Sequence, residues 1–346
     1  MAEEQVRTDA CPVCGHAPRG KLYRAREMFF GTRDTFDYLE CDVCGTLRIR
    51  EIPDLEGYYP KDYYSFRPAE AKPREGLKGR AALRAGDFIR SRVADYYCGL
   101  NNSAGARGRF LGRHFAAKMG RMAVGFPEYI KDARVNLGLE RRSAILDVGS
   151  GAGPLLRTLR SFGFQDLTGV DPFVAGDIFV DEGLRVLKTE LASLDREFDL
   201  IVASHSLEHM PDPRRALAEM RRLLKRGKYA IVRIPVVSYA WQEYGTSWVQ
   251  MDAPRHLSLF TERGFKRLAG ESGFLVERVV YDSTAFQFWG SEQYLRDIPL
   301  TDERSYFVNP DRSLFTPERI NEFAARAAEL NARGEGDQAV FYLHKV

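Results

Sequence analysis

The sequence predicts an α/β fold built on a parallel sheet, with a small metal-stapled unit ahead of it. Three observations carry that reading. The apolar, β-prone run Ala144-Ile145-Leu146-Asp147-Val148 enters a turn holding Gly149, Gly151 and Gly153, and a helical segment follows. A second apolar run then ends on a lone carboxylate, Gly169-Val170-Asp171. Strand, glycine turn, helix and strand in that order describe a nucleotide-type pocket at the carboxyl end of a parallel sheet. Ahead of it, Cys11-Pro12-Val13-Cys14-Gly15 and Cys41-Asp42-Val43-Cys44-Gly45 repeat one C-x-x-C pattern.

Residues 1–54 are predicted to form a zinc ribbon. Four thiolates make a closed tetrahedral site with no position left for water, which is the structural rather than the catalytic arrangement. The 26 residues between the pairs include Phe29, Phe30, Phe36 and Tyr38, and so predict a β-hairpin. A segment this small builds little core of its own, and the metal staples it. Residues 55–142 open with Tyr58, Tyr59, Pro60, Tyr63 and Tyr64. That stretch is too aromatic for a free linker and reads either as a packing strap or as a pocket wall offering phenol groups. Within 67–142 there are 17 Lys and Arg against 7 Asp and Glu, although the whole chain carries only +3. Leu83, Phe88, Ile89, Val93 and Tyr97 recur at helical spacing. Basic helices of this kind are plainly read as a solvated face; the sharper readings are a surface for an anionic acceptor or for RNA. Cys98 reads as a small buried apolar residue.

The 346-residue chain has ample core for one large domain with smaller attachments, and its composition is that of an ordinary globular protein. No apolar run approaches the ~20 residues that cross a bilayer. The acidic start, Met1-Ala2-Glu3-Glu4, lacks a signal-type apolar stretch. Paired C-x-x-C cysteines of metal type fit a reducing compartment, so the expectation is a cytoplasmic protein.

The glycine turn separates two chemistries. A dinucleotide fingerprint needs a third glycine where this chain has Leu156, and Asp147 at the strand end would repel a phosphate. A carboxylate there suits a ligand with an ammonium group. The plain alternative is a tight turn in an α/β domain with no ligand at all. With the later segments Phe198–Ala203, Ser204-His205-Ser206-Leu207-Glu208-His209-Met210 and Pro211-Asp212-Pro213, the set resembles class I S-adenosylmethionine-dependent methyltransferases, motif D-x-G-x-G-x-G, over residues 143–282. One departure is Arg226-Gly227-Lys228 where Lys-Pro-Gly-Gly is usual, a change of turn. The resemblance implies a Rossmann-like sheet of seven strands whose last hairpin is antiparallel. It implies that Gly149, Gly151 and Gly153 admit the methionine part of the cofactor and that Asp147 lies near its ammonium. Asp171 would accept from the ribose hydroxyls, Glu190 would lie near the adenine, and His205 would leave the fourth strand close to the sulfonium. A buried Glu208–His209 pair that only fixes the loop after that strand is an equally open reading.

The acceptor loop, 236–261, includes Trp241, Trp248, Asp252, Arg255 and His256. Aromatic walls with a few polar groups are what an acceptor pocket needs. Its D-x-P-R-H-L core resembles a bacterial branch that carries an N-terminal zinc ribbon and modifies sugars and cell-surface glycans. His256 is the first candidate for a general base and His205 the second; Arg255 is the candidate for an acceptor phosphate or carboxylate. The alternative for Arg255 and His256 is a capped loop before the next helix. Residues 283–346 read as an insertion, a lid or substrate wall with a dimer contact as the alternative, followed by the final strand Ala339–His344. The function expected is O- or C-methylation of a small polar acceptor, a sugar, nucleotide sugar or glycan, with S-adenosylmethionine and a structural zinc ion. The competing readings are an rRNA or tRNA methyltransferase that clamps RNA with ribbon and basic helices, and a non-catalytic binding module on the same fold. No membrane span is expected, and nucleic acid is the lesser partner.

Overall fold

In the computed structural model the described residues are 10–17, 19–60, 64–66, 88–90, 126–130 and 137–346. Most of the basic segment 67–142, with Cys98 and Tyr63, lies outside them. Among the described residues no helix is long and apolar enough to cross a membrane.

The main sheet starts with β4 (Ala144–Val148), buried at every position as a central parallel strand must be. Beside it lie β5 (Asp166–Val170) and β8 (Phe198–Ser204), both parallel to it, and β7 (Leu184–Leu187) is parallel to β5. Helix α1 (Pro154–Ser161) follows the glycine turn with Gly153 as its N-cap and proline at its first position. Helix α2 (Pro213–Leu223) is entered through Asp212, whose Oδ1 accepts from the Arg215 amide at 2.9 Å. It runs into β9 (Leu224–Pro235), where Gly227 turns the chain at a φ of +73°. The sheet is completed by β11 (Leu275–Tyr281) and β12 (Gln338–His344). Hydrogen bonds from Val236 to Asp337 and from Lys345 to Lys228 set β12 antiparallel to β9.

The strand order is β11-β12-β9-β8-β4-β5-β7-β6, so the sheet has eight strands rather than the seven expected. The additional one is β6 (Ile178–Asp181), a hairpin partner running antiparallel to β7. Its four residues are largely exposed, so no alternation of buried and exposed positions marks it in the sequence.

A second sheet is antiparallel, in the order β1 (Leu22–Arg26), β2 (Thr35–Glu40), β3 (Leu47–Ile49) and β10 (Ser258–Leu259). Its hairpin was legible as aromatic and β-prone residues between the cysteine pairs. Its fourth strand comes from the loop after β9, paired Leu259 to Leu47. By compactness the chain divides into two units. One is Met1–Pro60, His205–Ala218 and Arg233–Phe341; the other is Lys61–Ser204, Glu219–Val232 and Tyr342–Val346.

The first unit has its own apolar core, including Tyr38, Leu47, Trp248, Leu259 and Phe288, all fully buried. Into it pack α5 (Phe286–Leu295) and α6 (Pro317–Arg333), with Phe288 stacked on Phe323 at 5.4 Å. Leu300 and Thr301 donate backbone hydrogen bonds to the carbonyls of Met28 and Phe29. The start of the stretch read as a lid or substrate wall is interior, with Gln287, Phe288, Ser291, Gln293 and Tyr294 buried, while most of 301–335 is exposed or half-buried.

Candidate functional site

In the second unit the glycine turn is built as the strand–turn–helix pattern requires. Gly149, Gly151 and Gly153 all hold positive φ, at +69°, +51° and +80°. A Cβ on Gly151 would lie 2.2 Å from the Ser65 carbonyl oxygen. Every amide of the turn is committed inside the protein. Gly149 and Ser150 donate to the Val170 carbonyl, Gly151 to Asp171 Oδ2 at 2.9 Å, Ala152 to the Ser65 carbonyl at 2.8 Å, and Gly153 to the Ser150 carbonyl. A turn whose amides are so engaged is no cradle for a pyrophosphate, which binds through free backbone N–H groups. Gly169 has a separate reason: a Cβ there would meet Ser150 Oγ at 2.4 Å.

Asp147 is the penultimate residue of β4 and Asp171 follows β5, both buried. Asp171 Oδ1 also accepts from the Phe173 amide at 2.9 Å, which fixes its carboxylate across the turn. Burial, reinforced by the charge of Asp171, pushes the Asp147 carboxyl up to about 8. A carboxylate pair buried in this way is relieved by a cationic or hydroxyl-bearing ligand, so the residues present fit an amino-acid-bearing nucleoside. Glu190 is exposed and precedes the short 3-10 turn Leu191–Ser193.

In the first unit the two cysteine pairs form matching knuckles. Cys11 N–H donates to the His16 carbonyl and Gly15 N–H to Cys11; Cys41 N–H donates to Thr46 and Gly45 N–H to Cys41. Gly15 and Gly45 supply the positive φ, +73° and +71°. The four sulfurs lie within 4.8 Å of one another and are buried, with Cys11 3.6 Å from Cys44 and Cys14 3.5 Å from Cys41. A tetrahedral site with Zn–S near ~2.3 Å needs sulfurs about 3.8 Å apart, so the donor set fits zinc. The knuckles dock on helix α4 (Glu262–Glu271) and its cap. Thr261 Oγ1 donates to the Cys44 carbonyl at 2.6 Å, Arg263 to Val43, and Arg267 to Cys14.

The loop after β8 and the loop before β10, both in this unit, meet in a cluster of histidines and carboxylates. His205 sits at a φ of +52°. Its Nε2 accepts from Arg233 Nη1 at 2.7 Å, so its hydrogen is on Nδ1, which lies 3.3 Å from Glu208 Oε1. Glu208 is fully buried, and neither of its oxygens has a well-aligned hydrogen bond. Burial works to raise its pKa, while the His205 contact, and the imidazoles of His209, His205 and His256 when protonated, work to lower it.

His256 is buried, and its Nδ1 faces the Gln250 carbonyl at 2.7 Å. A carbonyl only accepts, so the ring hydrogen is on Nδ1 and the lone pair on Nε2. That Nε2 is 4.0 Å from Glu208 Oε1 and 3.9 Å from Asp252 Oδ2. Burial, with His209 alongside, presses the His256 pKa down to about 4, leaving the ring neutral. His209 is half-buried; its Nδ1 lies 2.9 Å from the Arg255 carbonyl and 3.0 Å from the Tyr59 hydroxyl. Tyr59 thus belongs to this cluster, as the tyrosine-rich stretch hinted without saying which ring.

Arg255 is fully buried, with the adjoining rings of Phe29 and Phe30 against its guanidinium at 4.6 and 5.3 Å. Its guanidinium binds Asp252 and, at 3.3 Å, Glu27 Oε1. Glu27 meanwhile accepts the amides of Phe29, Phe30, Gly31 and Thr32. Where an anion clamp was expected, the arginine grips the protein's own carboxylates and ties hairpin to loop. Glu27 was missed because its partner is 228 residues away in sequence.

Residues 123–279 match the family described as a methyltransferase domain. A comparison with curated proteins finds no match. Among solved structures, the chain is similar to a complex between the Haloferax volcanii Trm112 methyltransferase activator and a putative methyltransferase. That match has 15% identity and a TM-score of 0.41, and covers 60% of this chain and 85% of that one. It is also similar to geranyl diphosphate methyltransferase in complex with S-adenosylmethionine, at 15% identity and TM-score 0.43, over 72% of this chain and 94% of that one. A possible histamine N-methyltransferase of Thermotoga maritima is similar at 21% identity and TM-score 0.37, over 63% and 89%. The match to a methyltransferase domain thus rests on residues 123–279, somewhat under half of the chain.

Proposed function

We propose that this enzyme methylates a small polar acceptor, a sugar, nucleotide sugar or glycan, at oxygen or carbon. The observation that carries the cofactor assignment to particular residues is the buried Asp147 and Asp171 pair behind a glycine turn with no amide free for phosphate. S-adenosylmethionine, when bound, supplies the methyl group as a sulfonium. Asp171 would accept the ribose hydroxyls while keeping its amide contacts, since each carboxylate oxygen has a second lone pair. Asp147 would face the ammonium, Gly149, Gly151 and Gly153 would leave room for the methionine chain, and Glu190 would reach the adenine.

On the acceptor side, His256 is neutral with its Nε2 lone pair unprotonated, as a group that receives a hydroxyl or carbon-acid proton must be. His205, already accepting from Arg233, is the weaker candidate. Arg255 acts here as a positioning residue that holds the loop carrying His256. The four cysteines would hold a zinc ion that closes the knuckles and has no coordination position for a substrate. Methyl transfer is an alignment problem, and rigid support of the acceptor loop by hairpin and zinc serves that need.

The test is a screen of methyl-labelled S-adenosylmethionine against nucleotide sugars, free sugars and structured RNA. Label on a sugar nucleotide, lost in His256→Ala, supports the reading. Label on RNA alone, with steep salt dependence, replaces it.

A further inference from the structure

Two histidines of the cluster, His209 and His256, are locked in the same sense. The Arg255 carbonyl at 2.9 Å from His209 Nδ1 and the Gln250 carbonyl at 2.7 Å from His256 Nδ1 can only accept, so both rings carry hydrogen on Nδ1. Each ring is left with its lone pair on Nε2. An imidazole whose other nitrogen donates to a backbone carbonyl is how proteins orient histidines that ligate a metal. Glu208 shares the cluster fully buried, with no well-aligned hydrogen bond at either oxygen and His205 Nδ1 3.3 Å from its Oε1. Donor atoms of Glu208, His209 and His256 lie within 4.8 Å of one another.

Charge points the same way. Asp252 Oδ2, 3.9 Å from His256 Nε2, already shares Arg255 with the buried Glu27. Glu208 adds a further buried negative group, and a buried carboxylate is tolerated when a cation or strong donors meet it. His209 is only half-buried, which leaves a side of the cluster open to small ligands.

We infer that Glu208, His209 and His256 form a second metal site, distinct from the cysteine knuckles, which takes a divalent transition ion such as zinc, manganese or ferrous iron. Two imidazoles and one carboxylate with an open position are a donor set such ions accept. Ligand bonds of about 2.1 Å require donors about 3.4 Å apart, so the 4.0 Å His256–Glu208 separation closes by about 0.6 Å and the widest pair, within 4.8 Å, by at most about 1.4 Å. The open position takes one oxygen ligand, a water or an acceptor hydroxyl. An ion there occupies the His256 lone pair, so that ring accepts a proton only in the form without the ion. The inference does not depend on which acceptor is methylated, because the number of ions per chain answers it alone.

The test is titration of the full chain, stripped of metal, with Co2+ followed by absorption spectroscopy. Two equivalents are expected: one with intense thiolate charge-transfer bands from the cysteines, and one with weak d–d bands and no thiolate signature. Glu208→Gln and His256→Asn should each abolish the second and keep the first, whose thiolate bands also report that the fold survives. Cys14→Ser should do the reverse. A wild-type protein that binds one equivalent, all of it thiolate-coordinated, overturns the inference. So does a second equivalent that persists in both Glu208→Gln and His256→Asn.

Discussion

Arg255 and Glu27 pair at 3.3 Å with neither side chain exposed. The pair joins the turn of the β1–β2 hairpin to the loop that carries His256, and the Phe29 and Phe30 rings wall the guanidinium. A buried pair of this kind fixes geometry more than it adds stability, and breaking it leaves an uncompensated charge. Arg255→Met should lower stability by about 3–5 kcal/mol, as should Glu27→Gln in smaller measure. The double variant should fall by less than the sum of the two, measured by urea denaturation in a double-mutant cycle. Additive losses would mean that the two groups do not interact.

The knuckles have their consequence on α4. The carbonyls of Cys14, Val43 and Cys44 take hydrogen bonds from Arg267, Arg263 and Thr261. Removal of zinc with a strong chelator should therefore expose both 10–50 and 258–271 to protease, together and not in turn. Cleavage confined to the N-terminal segment would show that the knuckles lend α4 nothing.

Gly151 is hard to replace. Alanine there must hold a φ of +51° and place its Cβ 2.2 Å from the Ser65 carbonyl. Gly151→Ala should lower stability by about 1–3 kcal/mol and weaken cofactor binding at least tenfold, by thermal melt and calorimetry. A neutral outcome would mean that the Ser65 contact yields without consequence.

Asp147 gives a pH dependence. Its folded pKa, about 8, lies above the ordinary value of 3.8, so between these limits the folded state holds a proton that the unfolded state has released. Stability therefore falls as pH rises from about 4 to 8, and the full penalty is present above that. Asp147→Asn removes the titration. The ligand-free variant should gain stability over wild type at pH 8 and much less at pH 5, while losing affinity for S-adenosylmethionine. An equal gain at both pH values would contradict the assignment.

The parts of this fold that were legible are those fixed by local chemistry. Gly149, Gly151 and Gly153 sit at positive φ because the turn demands it, and spacing alone marked them. Cys11, Cys14, Cys41 and Cys44 converge because each knuckle is a short-range turn. What was not legible depends on distant pairing. Leu259 completes a sheet begun by Leu22, and nothing in the two-residue strand β10 announces it. Arg255 was expected to face a ligand; its burial depends on Glu27, Phe29 and Phe30, far away along the chain. The tautomers of His205, His209 and His256 follow from carbonyls and a guanidinium that only the folded chain brings to them.

Asp147 and Asp171 are expected to hold S-adenosylmethionine behind the glycine turn. Calorimetric titration of the zinc-loaded protein with S-adenosylmethionine and S-adenosylhomocysteine, beside Asp171→Ala, tests it most directly. Saturable one-to-one binding to wild type, lost in a variant that remains folded, is the result predicted. Binding that survives Asp171→Ala unchanged, or no binding by the folded wild type, would contradict it.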